Sequence, residues 1–241
     1  MRRPTRATAA PRTSVSRFCP TTPAIVEPHV DRIAVRETAV KVRSDPGQFR
    51  DALMSLQDGG SALVEVAERS SWHPNGFAKV VLQVGAGWSV RLHVWRPIGR
   101  SRVVDAKPHG HRWEFASWII AGVLRETTFQ KATSGERFDV CDYSRHEDGS
   151  AYLSPRGTAT LKPEARFDHM AGMVYGRSGA VLHTAEPVGD GLVASLVFRG
   201  KRSPAPAPVY LRPGTLPIHR EMPLSVGHVG ALLRDVAAVV H

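Results

Sequence analysis

Between Phe77 and Phe198 the sequence falls into short apolar runs at nearly even intervals. They read as Phe77–Val84, Trp88–Arg96, Trp113–Ile120, Val123–Phe129, Phe138–Tyr143, Thr158–Leu161, Met173–Tyr175, Ala180–His183 and Leu192–Phe198. Clusters of Gly, Pro, Asp and Ser separate them. No helical pattern of ten to fifteen residues intervenes, as an alternating β/α fold would require. Evenly spaced short strands with turn punctuation point instead to an all-β barrel or jelly-roll sandwich. A chain of 241 residues suits one such domain with extensions.

The flanks differ. Residues 1–28 are rich in Pro, Thr and Arg, and are expected to form a disordered basic tail. Residues 29–72 read as a helical extension. Asp45 can cap a helix that has Pro46 at its first position, Phe49, Leu53 and Leu56 as its apolar stripe and Gly59-Gly60 as its stop. A second helix is expected over 62–68. The barrel would then occupy 73–202. In 203–241, prolines 204, 206 and 208 suggest a stiff connector, followed by an amphipathic helix over about 223–240.

The formal charge is +10, but the arginines are scattered and form no nucleic-acid module. A basic surface without a nucleic-acid or membrane partner is the expectation. Cys19 and Cys141 make neither a disulfide framework nor a CxxC zinc site. With no apolar leader and no run of ~20 apolar residues, a soluble cytoplasmic protein is expected. The composition says nothing of oligomeric state.

The chemistry concentrates in Pro108-His109-Gly110-His111-Arg112-Trp113-Glu114-Phe115. Two histidines two apart in an extended segment point to the same side, and neutral imidazoles at that spacing can share a metal. A third ligand must come from another strand. His183, at the end of the apolar run Gly179–His183, is the candidate. Arg91, His93 and Trp95 alternate along one strand face and could line the same cavity, and Tyr175 lies close in sequence to the third ligand. His73, His146, His169, His219 and His228 are isolated and read as surface or helix residues.

This pattern resembles the cupin superfamily, whose first motif runs HxH, three or four residues, Glu, six residues, Gly. Counted from His111, Gly122 fits the three-residue spacing, but the Glu position is Phe115 and Glu114 is one residue off. Three-His cupins that lack the carboxylate resemble the cysteine dioxygenase group of thiol dioxygenases. Gly122-Val-Leu-Arg-Glu-Thr127 is similar to the stretch that follows their HxH segment, and Lys79 stands where they carry the Arg that binds the substrate carboxylate. The cofactor Tyr and its Cys partner have no equivalent.

The resemblance implies a cupin-type double-stranded β-helix with N-terminal helices and a C-terminal helix. It implies Fe(II) on His109, His111 and His183, O2 as co-substrate, and oxygenation of a small thiol or amino-acid-like metabolite. Lys79, Arg91 and His93 would contact the substrate, and Tyr175 would act in catalysis. Two readings stand beside this one: another metal-cupin oxygenase or isomerase of secondary metabolism, and a non-catalytic cupin that binds a small molecule.

Overall fold

A computed structural model describes residues 34–58, 60–96, 106–145, 151–215 and 221–241. The expected tail over 1–28, His146 and His219 lie outside them. Three helices open the described chain: α1 (Ala34–Arg43), α2 (Pro46–Asp58) and α3 (Ser61–Glu68). Asp45 does cap α2, since its Oδ1 accepts from the Gln48 amide at 2.9 Å.

Eleven strands follow: β1 (Ser71–Trp72), β2 (Ala78–Gly85), β3 (Trp88–Trp95), β4 (Phe115–Ala121), β5 (Val123–Arg145), β6 (Ala151–Met170), β7 (Val174–Arg177), β8 (Leu182–Val188), β9 (Val193–Arg199), β10 (Ala207–Leu211) and β11 (Met222–Pro223). Helix α4 (Val226–Ala237) ends the chain. Its N-cap is Ser225, so it starts later than the apolar pattern suggested, because Met222 and Pro223 pair with β1 instead.

The strands form two antiparallel sheets. One runs β11-β1-β2-β3-β9-β4-β7. The other is built on β5, which pairs with β6 along its length, with β8 over Val123–Phe129 and with β10 over Asp139–Tyr143. His109 bridges both His183 and Val209, which places its short extended segment between β8 and β10. The order β3-β9-β4-β7, facing the His109 segment, β8, β5 and β6, is the double-sheet jelly roll of the cupin type. Among the described residues it is a sandwich rather than a closed barrel.

Two sequence expectations are corrected. The runs at 123–129 and 138–143 are one strand, β5, whose polar middle pairs with the similarly long β6 through bulges. The proline-rich stretch is not a free connector, since its second half is β10. Pro208 still pairs there through its carbonyl, which accepts from the Gly110 amide at 2.9 Å, although it has no N–H to return.

Strand alternation assigns the two faces of the larger sheet. Val80, Leu82, Leu92, Val94, Ala116, Trp118, Leu196 and Phe198 point outward into the main core. Leu53 and Leu56 of α2, Val66 of α3 and Leu232, Leu233 and Val236 of α4 cover them. Phe49 meets Trp118 edge to face at 5.4 Å. Each such side chain contributes about 1.5–3 kcal/mol on burial. The alternate positions Lys79, Arg91, His93, Phe115, Ser117 and Arg199 face inward and line a cavity of about 410 Å3 between the sheets. The helices therefore seal one face, and the polar inner face is left for chemistry.

Candidate metal centre

His109, His111 and His183 meet on the cavity wall, with their ligand nitrogens all within 4.8 Å of one another. The backbone sets this geometry. His109 and His183 exchange two amide–carbonyl hydrogen bonds of 3.0 Å, so the HxH segment is tied to β8. Two residues on, the His111 amide donates to the Gly179 carbonyl at 2.8 Å. A β-carbon on Gly179 would lie 2.5 Å from the His111 carbonyl oxygen, so the close approach requires glycine.

The donor set fits a metal. Nε2 of His111 and Nε2 of His183 are 2.9 Å apart. Two imidazole nitrogens at right angles, each about 2.0–2.1 Å from one ion, lie about 3 Å apart. Two of the rings have their tautomer fixed. His109 Nδ1 donates to the Lys107 carbonyl at 2.8 Å, and His183 Nδ1 donates to Glu126 Oε1 at 2.7 Å. Each Nε2 is then an unprotonated lone pair, the form that binds metal. The pKa of His111 is held well below 6.5 by burial first and by the neighbouring His109 and His183, which favours the neutral ligand.

Glu126 is a supporting residue that the sequence did not single out, although it belongs to the Gly122–Thr127 stretch. Its side chain is fully buried on β5. It accepts from His183 on β8, from His169 Nε2 on β6 at 2.9 Å, and from Arg177 Nε and Nη2 on β7 at 3.0 and 2.6 Å. Burial alone would raise its pKa. The hydrogen bonds from His169 and His183, with the Arg177 guanidinium, override that and hold the carboxyl well below the usual range. Arg177 comes from the opposite sheet, so this carboxylate also pins the two sheets together beside the metal ligands.

His169 is therefore not a surface residue, as its isolation in sequence suggested. It is buried, bonded to Glu126, and stacked on Tyr175 at 3.8 Å with a 4° interplanar angle. His73 is corrected too: it stacks on Phe77 at 4.4 Å and lines the cavity. His228 sits exposed on the first turn of α4. The signal for His169 was available only in register, since β5–β6 pairing sets it opposite Leu124, diagonal to Glu126.

Phe115, at the position of the motif's carboxylate, is buried with its ring 5.1 Å from that of His111 and 5.7 Å from that of His183. Glu114 is exposed. Tyr175 lines the cavity opposite Ser117. Burial, then the Glu126 charge, raises its pKa, so its phenol stays protonated.

Lys79, Arg91 and His93 all line the cavity. The Lys79 ammonium already has a carboxylate partner, with Glu221 Oε1 and Oε2 at 2.7 and 2.6 Å. Its expected role as the substrate's carboxylate anchor therefore meets an internal ion pair. Arg91 lies over the Trp113 ring, 5.4 Å from its centroid. His93 packs on Phe77 with ring centroids 4.4 Å apart and planes tilted by 32°, and its buried Nε2 has no partner among the described residues. Burial first, then Arg91 and Lys79, lowers its pKa well below 6.5.

No protein-family model matches this chain, and no curated protein sequence does. Among solved structures it is similar to a hydroquinone 1,2-dioxygenase in complex with Cd2+ and 4-hydroxybenzonitrile, at 16% identity over 59% of this chain and 72% of that one, TM-score 0.32. It is similar to an oxalate oxidase at 18% identity over 68% and 74%, TM-score 0.34. It is also similar to an oxalate decarboxylase variant of Bacillus subtilis at 16% identity over 73% and 38%, TM-score 0.33. The site itself is a three-histidine cluster on the wall of a cationic cavity in a jelly-roll sandwich.

Proposed function

We propose that this protein is an Fe(II)-dependent dioxygenase of a small thiol or amino-acid-like metabolite. The observation that carries the proposal is the donor set: three imidazoles converge on one cavity wall, and Phe115 stands where a carboxylate ligand would complete the set. His109, His111 and His183 would hold an iron ion through neutral nitrogens, and the ion would supply a site for a substrate donor and O2.

The residues around it would do the rest. Glu126 orients His183 and keeps its Nε2 free of a proton. Tyr175, kept as a phenol, offers a neutral O–H donor to the cavity. Phe115, Phe77 and Trp95 give the otherwise polar wall an apolar part. A cavity of about 410 Å3 suits a metabolite-sized substrate.

The test combines metal analysis of the purified protein with oxygen uptake after Fe(II) loading, using cysteine, 3-mercaptopropionate and cysteamine. Uptake that follows iron content and is lost in His183→Ala supports the reading. Metal binding without oxygen uptake on any of the three would favour a non-catalytic or non-oxygenase cupin.

A further inference from the structure

Four arginines and two lysines line the cavity against one carboxylate, Glu221, and that carboxylate is bound to Lys79. The other buried acid beside the cavity, Glu126, is taken up by two histidines and Arg177. The remaining cations are not equivalent. Arg69 is structural, since its Nε and Nη2 donate to the Val81 and Leu82 carbonyls at 2.7 Å each. Arg199 is different. Its Nε is buried without a hydrogen-bond partner among the described residues, while its guanidinium lies over Trp113 at 4.9 Å.

Arg91 flanks the same indole at 5.4 Å. Register brings the two together: Arg91 faces Val197 and Ser89 faces Arg199 across β3 and β9, so Arg91 and Arg199 are diagonal neighbours on the inner face. The two arginines also adjoin the metal centre. Trp113 lies 5.7 Å from the His111 ring, and Arg199 is paired across β4 with Phe115, the residue that packs on His111 and His183. Two guanidiniums packed on one indole in the cavity wall, that of Arg91 also donating to Ser89 Oγ at 3.2 Å and that of Arg199 with an unmatched buried donor, call for an anion.

We propose that Arg199 and Arg91, braced on Trp113, form the anion-binding subsite of this cavity, and that it takes the carboxylate of a small acid whose other end reaches the metal. The planar fork of arginine pairs with a carboxylate through two N–H donors, which Lys79, held by Glu221, does not offer. Burial, with the neighbouring Arg202, already lowers the Arg199 pKa, consistent with a charge short of counter-charge. The proposal takes its location from the metal-cavity reading, but its chemistry is separate from oxygen activation.

The experiment is equilibrium binding to the metal-loaded full chain by calorimetry, with 3-mercaptopropionate as the carboxylate probe and cysteamine as the carboxylate-free control. Arg199→Met should weaken 3-mercaptopropionate about 10–100-fold, the loss of one or more charge-assisted bonds, and leave cysteamine unchanged. Arg199→Lys should recover part of the loss. If Arg199→Met fails to fold, phenylglyoxal labelling of the wild-type protein decides: 3-mercaptopropionate, but not cysteamine, should protect Arg199. Equal binding by wild type and Arg199→Met, or labelling of Arg199 that the acid does not change, overturns the proposal. Carboxylate binding that depends on Arg199 without oxygen uptake would overturn the dioxygenase reading alone. Oxygen uptake indifferent to Arg199 would overturn the clamp alone.

Discussion

Nδ1 of His183 donates to Oε1 of Glu126 at 2.7 Å, while Nε2 of the same ring points at the other two histidines. One buried carboxylate thus sets the tautomer of one ligand from behind, and Arg177 and His169 hold that carboxylate in place.

Glu126→Gln should keep the fold and lose metal. Gln can still accept one bond, but it loses the charge and presents an amide N–H where three donors converge. Metal affinity should fall about 10–100-fold, the usual effect of a partner behind a ligand. Competition with a fluorescent chelator measures it; an affinity equal to wild type would refute the assignment.

Gly179→Ala should disturb the site through the backbone. The added β-carbon would sit 2.5 Å from the His111 carbonyl oxygen and 2.9 Å from that of Trp113. The HxH segment must shift, and the metal content of purified protein should drop. Gly191→Ala, where a β-carbon meets nothing within 4 Å, is the control and should retain metal. Equal metal in both variants would show that the segment relaxes without cost.

Lys79 and Glu221 should behave as a structural pair. Lys79→Met leaves a carboxylate with 15% exposure without its ammonium, at a cost of up to about 3–5 kcal/mol. Adding Glu221→Gln should recover most of that loss. Denaturant unfolding of the two single variants and the double variant measures the coupling. Additive losses would show that the pair is not a unit.

Stability should fall on mild acidification. The folded pKa of His93 is depressed by burial, Arg91 and Lys79. Below the unfolded value of about 6.5 the unfolded chain takes up a proton that the folded chain does not. The contribution is therefore fully present above that pH and is lost as the pH drops below it. His93→Gln should flatten the fall in Tm between pH 7 and pH 5. An unchanged slope would mean that His93 is protonated in the fold.

The sequence alone determined the β architecture, because a two-residue period and glycine-marked turns are local properties. It determined the HxH pair for the same reason: side chains two apart in an extended segment share a face. Through the resemblance to the cupin motif, the count from His111 to Gly122 also set Phe115 at the position of the carboxylate ligand and left Glu114 one residue off. The start of α2 behind Asp45 was as expected, because capping is local chemistry.

Only the tertiary structure decided which distant residues serve the site. Glu126, His169 and Arg177 lie on three strands, and nothing local marks them as partners. Their meeting depends on register, which sums the packing of whole sheets. The same holds for Lys79, whose charge met Glu221 from 142 positions away, and for Arg199, which reads as an ordinary strand end until β3 sets Arg91 beside it. Long-range pairing of this kind is chosen by burial and counter-charge in three dimensions, which one-dimensional spacing does not encode.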